Sequence, residues 1–282
     1  MLAAPGRSNN PAMSTSSRRS ESFQIPIEAA EAYESNFVPA LFAEWAPVLC
    51  EAAGVGPGTT VLDVACGTGI VARTAADLAG PEHVVGCDLN EAMLTVARRV
   101  RPDIRWQQGD AAALPFPDRS FAAVVCQMAL MFFPDPAAAV GEMGRVVSAA
   151  GTVAIVVPSR IEAQPAYGPF VEMAAGHAGP DARALMSAYF ASGDPEALTR
   201  LFESAGLRVT GVRAHVGRVR FPSVDAFVMT EVESTPLGER IGAQVTHRIR
   251  EDARAVLRPW TAPDGALDAP FEGQVLTAEA GR

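Results

Sequence analysis

Three aspartates and two closely spaced glycines are the residues of this chain whose types and spacing point to ligand chemistry. Asp63 ends an apolar run, Val61-Leu62-Asp63-Val64, and Gly67-Thr68-Gly69 follows at once. Asp88 closes a second apolar run 19 residues beyond Gly69, and Asp110 follows a third. Glycines between a strand and a helix let the backbone turn sharply and approach a ligand above the strand ends. With an acidic residue about 20 positions further on, the same turn suits a nicotinamide dinucleotide, so an NAD(P)-dependent oxidoreductase is the rival reading. Asp63, four residues before Gly67, separates the two. A carboxylate facing a pyrophosphate repels it, whereas the ammonium and sulfonium of S-adenosylmethionine gain from it. Asp88 is then placed to accept ribose hydroxyls and Asp110 the adenine amino group. Leu89, Met93 and the segment 127–132, which ends at Phe132, supply apolar faces for the adenine.

On the acceptor side the candidates are sparser. His177 and His215 are the expected general bases, and Tyr167 and Tyr189 would orient a polar acceptor. Phe37 and Phe170 would line its apolar part. Methyl transfer from a sulfonium is an in-line displacement with a neutral leaving group, so alignment alone is worth roughly 7–11 kcal/mol. A general base adds about a hundredfold to ten-thousandfold.

These residues need a scaffold, and the hydrophobic pattern provides one. Short β-branched runs at 60–64, 83–87, 104–107, 121–126 and 151–157 alternate with amphipathic runs at 70–78, 91–100 and 137–147, the rhythm of parallel strands joined by crossover helices. Asn90 is placed as an N-cap for the second helix. Ahead of this core, helical spacing over 27–53 predicts a lead-in that Pro39 and Pro47 divide. Behind it lie two irregular blocks, 159–194 and 223–260, with a helix at 195–205 and a strand from Leu207 between them and a last strand at 271–280. The expected units are a disordered tail (1–22), a helical lead-in (23–58), a cofactor-binding core (59–157), a substrate cover (158–193), core completion (194–221), a second helical insertion (222–260) and an edge strand (261–282).

Composition narrows the partners. The chain has 282 residues, 49% of them hydrophobic, and a net charge of −9, and its 23 basic residues are all Arg. Lysine Schiff-base chemistry is thereby excluded. The acidic balance lacks the electrostatic footprint of nucleic-acid binding, so a small-molecule methyl acceptor is expected and nucleic acid is not. No apolar run reaches the roughly 20 residues of a membrane span. Cys50, Cys66, Cys87 and Cys126 fall singly with no CxxC pair, which predicts free thiols, no metal site and a reducing cytoplasm.

The segments VLDVACGTG, VVGCDLNEAML, QQGDAAALPFPDRSFAAVVCQ and MFFPDPAAAVGEMGRVVSAAGTV stand in one order between residues 59 and 157. In that order and spacing they resemble the class I, Rossmann-like S-adenosylmethionine-dependent methyltransferases, in the group that includes the ubiquinone and menaquinone C-methyltransferases. The resemblance implies an α/β, doubly wound, mostly parallel seven-stranded sheet with a helical lid built from insertions. It implies that Asp63, Ala65, Gly67 and Gly69 hold the methionine part, Asp88 and Leu89 the ribose and adenine, and Asp110 and Ala111 the adenine edge; Thr68, within the glycine turn, is a further expected cofactor contact. Gln127 and Met128 would line the sulfonium side, and Tyr33 would cover the methionine carboxylate. A [DN]PP[YF] motif is absent after the fourth strand, where Cys126-Gln127-Met128-Ala129 stands, which argues against methylation of DNA or translation factors. The family's usual PGG turn reads Ala149-Ala150-Gly151. The expected activity is methyl transfer from S-adenosylmethionine to a fairly apolar quinone, polyketide or aromatic secondary metabolite. The non-enzymatic alternative is an S-adenosylmethionine-binding protein. Acceptor identity, methylated atom and oligomeric state are not encoded in these motifs.

Overall fold

The structure, a computed structural model, describes residues 25–233 and 236–281. The tail expected over 1–22 lies outside the described residues. In chain order the main elements are α1 (Ile27–Ala32), a π-helical segment (Tyr33–Phe42), α2 (Trp45–Ala52), β1 (Val61–Val64), α3 (Ile70–Ala79), β2 (Val84–Asp88), α4 (Glu91–Val100), β3 (Arg105–Gln108), β4 (Phe121–Gln127), α5 (Pro136–Val146) and β5 (Val147–Pro158). There follow α6 (Tyr167–Ala178), α7 (Pro180–Ser187), α8 (Pro195–Ser204), β6 (Leu207–Phe221), α9 (Val224–Val228), a second π-helical segment (Met229–Glu233), α10 (Pro236–Arg240), α11 (Ala243–Val256) and β7 (Leu267–Ala280).

The strands form one sheet in the order β3-β2-β1-β4-β5-β7-β6. The first five are parallel, and β7 runs antiparallel to both β5 and β6. Strand side chains alternate between faces, so both faces are covered. Val61, Ala123, Val125, Ala154 and Val156 pack with α2 and α3, together with Trp45 and Val71. Leu62, Val64, Val124, Ile155 and Val157 pack on the other face with Val140 and Met143 of α5 and Phe202 of α8. Chain reversal between β1 and β4 puts the carboxyl ends of β1, β2, β3 and β4 along one rim, where ligands of open α/β sheets bind.

Local chemistry sets the helix starts. The Asn90 side chain accepts from the backbone N–H groups of Ala92 and Met93. Asp135 and Asp194 cap α5 and α8 in the same way, each followed by proline at the first helical position. Two boundaries differ from the sequence expectation, whereas the lead-in is divided into pieces as expected. Pro39 sits within the wide-turned segment, and a turn at 43–44 separates that segment from α2, where Pro47 lies in the first turn and its missing N–H has no helical partner. β5 starts at Val147 rather than 151. Residues 149–151 form a bulge rather than a free turn, with Phe121 opposite Val147 and Ala123 opposite Thr152. A Cβ on Gly151 would stand 2.6 Å from the Ala122 carbonyl oxygen, so glycine permits this close approach. β7 starts four residues early, at Leu267, because it pairs with the whole length of β6.

The two irregular blocks become helical covers. α6 packs on α7 and on α11. Arg254 binds the Asp225 carboxylate through both oxygens and ties α11 to α9. No described helix is long and apolar enough to cross a membrane.

Candidate active site

A cavity of about 1190 Å³ opens at the carboxyl ends of β1 to β4. Pockets that take one drug-sized ligand run to roughly 300–1,000 Å³, so this volume accommodates a cofactor and an acceptor together. Its floor is the strand ends, its roof the lead-in, and its far wall the two helical covers.

The floor is built by the loop after β1. Ala65 (φ 55°), Gly67 (φ 57°) and Gly69 (φ 90°) all occupy the left-handed region, which folds the loop back on the strand ends. At Gly69 a Cβ would also stand 2.2 Å from the Trp106 ring, so two constraints demand glycine there. Asp88 clamps the loop: its Oδ2 accepts from the Gly67 N–H and its Oδ1 from the Asn90 N–H, each at 2.8 Å. Burial pushes the Asp88 carboxyl up, and these backbone donors oppose the shift. Asp110 accepts from the Ala112 N–H at 2.9 Å in a tight turn after β3.

Of the residues expected to meet the cofactor, Tyr33, Ala65, Gly67, Asp88, Leu89, Met93, Asp110, Ala111, Gln127, Met128 and Phe132 line the cavity. Asp63, Thr68 and Gly69 do not. Asp63 is 1% exposed and lies beneath the loop, where its Oδ2 accepts from the Ala72 N–H at 2.9 Å inside α3. Burial raises its pKa to about 8, which favours its neutral form. The acidic groups at the cavity surface are others. Asp88, Asp110, Asp135 and Glu231 all line the cavity, and no arginine or histidine among the described residues does. A pyrophosphate finds no cation there.

The expected acceptor residues divide in the same way. Phe37, Tyr167 and Tyr189 line the cavity, joined by Met186 and Phe190. Phe170 is fully buried, its ring 4.8 Å from that of Phe227, and belongs to the core of the cover. Neither expected base reaches the site. The Nε2 of His177 is paired with Asp252 at 2.7 Å, between α6 and α11. His215 lies on β6, where its ring meets Trp45 edge-on at 5.2 Å. Glu231 is a cavity-lining carboxylate that sequence reasoning missed. It stands alone in the run Phe227 to Val232, and its one sequence signal is a carboxylate set among apolar residues.

One buried atom tests the fit of a cationic, phosphate-free ligand. Gln127 lines the cavity; its Nε2 donates to the Phe42 carbonyl, while its Oε1 is buried with no hydrogen-bond partner. An orphaned acceptor of this kind is costly until a ligand meets it, and a sulfonium with its polarised methyl group is a fitting partner. Met128, next in the chain, holds φ 49°, a strained value for a side-chain-bearing residue at a cavity wall.

Fold and site thus define a Rossmann-like protein with an acidic cofactor floor. A family model for a methyltransferase domain matches residues 61–151. The ubiquinone/menaquinone biosynthesis C-methyltransferase UbiE of Cupriavidus necator is 36% identical over 201 residues, covering 62% of this chain and 81% of that protein. The demethylmenaquinone methyltransferase of Renibacterium salmoninarum is 42% identical over 126 residues, covering 45% of this chain and 51% of the relative. A Bacillus halodurans C-125 protein solved as a candidate methyltransferase shares the fold at TM-score 0.57 and 21% identity, covering 84% of this chain and 99% of that one. The chain belongs to the class I S-adenosylmethionine-dependent methyltransferases, in the group of the ubiquinone and menaquinone C-methyltransferases. It spans about half the length of the first curated relatives it matches.

Proposed function

We propose that this chain transfers the methyl group of S-adenosylmethionine to a small, largely apolar acceptor, a quinol or another aromatic metabolite of quinone or secondary metabolism. The observation that carries the reading is a single cavity with an acidic, cation-free floor and an aromatic far wall. When bound, S-adenosylmethionine supplies a methyl group on a sulfonium that departs as a neutral thioether. Asp88 binds the ribose hydroxyls, Leu89 and Met93 pack on the adenine, and Asp110 with Ala111 meets its edge. Ala65, Gly67 and Tyr33 hold the methionine end. Gln127 and Met128 flank the sulfonium, with Phe132 at the mouth. Asp63, Thr68 and Gly69 act one layer below, by shaping the loop.

The acceptor rests against Phe37, Tyr167 and Tyr189, where Met186 and Phe190 adapt to an apolar ring. Alignment in this water-poor space contributes most of the acceleration. The substrate names of the two relatives support a quinone-like acceptor. The net charge of −9 argues against nucleic acid as partner, and four free buried thiols fit the reducing cytoplasm. Incubation with methyl-labelled S-adenosylmethionine and a panel of hydroquinones, naphthols and aromatic amines tests the reading. Label transfer to at least one of these aromatic acceptors is expected; a chain that binds S-adenosylhomocysteine yet labels none of them would overturn it.

A further inference from the structure

We infer that Glu231 is the catalytic general base of this site and that the acceptor therefore carries an acidic hydroxyl on its ring, with Tyr167 as the residue that positions the base. This rests on the proposed methyl transfer and assigns the proton that the reaction must remove.

Glu231 reaches the cavity from the short segment between α9 and α10, on the far wall and away from the cofactor floor. Its Oε1 accepts from the Tyr167 hydroxyl at 2.8 Å. Among the described residues no donor reaches its second oxygen, which is left for a ligand. Tyr167 cannot swing away, because its ring is packed against those of Phe190, Phe227 and Phe271 at 5.3 to 5.6 Å. The pair thus holds one carboxylate oxygen fixed and presents the other to the cavity.

The surroundings suit a base. Among the described residues the titratable groups that face Glu231 are Tyr167 and Tyr189, and no cation pairs with it. Burial pushes its carboxyl up to about 7, and the Tyr167 donor holds it from rising further. A carboxyl poised near neutrality is at its most effective in general-base work. A carboxylate on an apolar wall costs stability, and an unpaired oxygen there has no structural use.

The step balances without a co-reactant. The acceptor's O–H proton passes to Glu231 Oε2 as an oxygen or ring-carbon electron pair forms the bond to the methyl carbon. The carbon–sulfur bond breaks with its pair remaining on sulfur. Glu231 then returns the proton to water; after attack by ring carbon, the ring C–H proton is also lost to water and the oxygen takes one back, restoring the aromatic hydroxyl.

The test compares wild type, Glu231→Gln and Tyr167→Phe with 1-naphthol and 4-nitro-1-naphthol as acceptors. Wild-type transfer to 1-naphthol should rise with pH through about 7, because the base must be ionised. Glu231→Gln should lose about a hundredfold to ten-thousandfold with 1-naphthol, lack that limb, and approach the wild-type rate with the nitro compound, which is already ionised in water and keeps the ring carbon beside its oxygen open. Tyr167→Phe should move the limb to higher pH, since the donor that favours the carboxylate is gone. Titration with S-adenosylhomocysteine provides the control. Unchanged affinity in Glu231→Gln shows an intact fold; if that variant misfolds, the limb of Tyr167→Phe decides. A limb and rate that survive in Glu231→Gln would overturn the inference, as would wild type that binds the cofactor product yet methylates no hydroxynaphthalene. Failure of wild type to bind S-adenosylhomocysteine would instead refute the proposed function beneath it.

Discussion

The cofactor floor and the acceptor wall face each other across one cavity but are built by different means. On the floor, each aspartate is fixed by backbone N–H groups: Asp88 by Gly67 and Asn90, Asp110 by Ala112, and Asp63 below them by Ala72. On the wall, the Tyr167 hydroxyl donates to Glu231, a side chain 64 residues away, the Tyr189 hydroxyl donates to Met128 Sδ, and the other described contacts are largely aromatic or aliphatic packing. Floor geometry is thus a property of short stretches of chain, whereas wall geometry exists only when two insertions have docked. The floor is correspondingly suited to a ligand shared by a family, and the wall to one that varies.

Substitutions on the floor should act through the backbone. Gly69→Val places a β-branched side chain at φ 90° and against Trp106. The left-handed backbone and the overpacking together should cost about 3 kcal/mol or more, read from urea unfolding. A cost below about 1 kcal/mol would break the contrast. Asp88→Ala should weaken S-adenosylhomocysteine about a hundredfold, as two charge-assisted hydrogen bonds are lost. Tyr167→Phe on the wall should leave that affinity within about threefold in the same calorimetric assay.

Asp63 yields a prediction of a different sign from a salt-bridged aspartate. Its folded pKa of about 8 lies above the ordinary carboxylate value, so the folded state holds the proton more tightly than the unfolded chain. Its contribution to stability is fully present below about pH 4 and is lost as pH rises through about 8, with a slope of up to about 1.4 kcal/mol per pH unit. Wild type should be less stable at pH 8 than at pH 5.5, and Asp63→Asn, whose amide oxygen still accepts from Ala72, should flatten the difference. An unchanged slope in the variant would show that Asp63 is ionised in place. The smallest effect is expected at Arg99→Ala. It breaks the exposed ion pair with Glu31 at 2.6 Å that tethers the lead-in to α4, and it should lower stability by no more than about 1 kcal/mol.

The same contrast explains what the sequence made legible. Strand and helix positions of the core follow from periodicity and from Asn90 as a cap, and α4 spans the expected residues. The bulge before β5 and the early start of β7 depend on pairing partners far away in sequence, which local pattern does not carry. On the floor, Asp88 and Asp110 were readable from their place after successive strands. Asp63 was readable as important but not as buried, because spacing cannot tell a residue that faces a ligand from one that caps the helix below. His177 and His215 carried chemical promise by residue type alone, yet tertiary packing turned one to a contact with Asp252 between two cover helices and the other to an edge strand. Glu231 reaches the cavity only through the docking of the second insertion, and no local spacing announces it.

Titration of the full chain with S-adenosylhomocysteine and, separately, with NAD asks most directly whether the acidic floor holds a phosphate-free cofactor. Binding near the micromolar range for S-adenosylhomocysteine, with no heat from NAD, is the predicted result. Saturable binding of NAD with S-adenosylhomocysteine silent would contradict it.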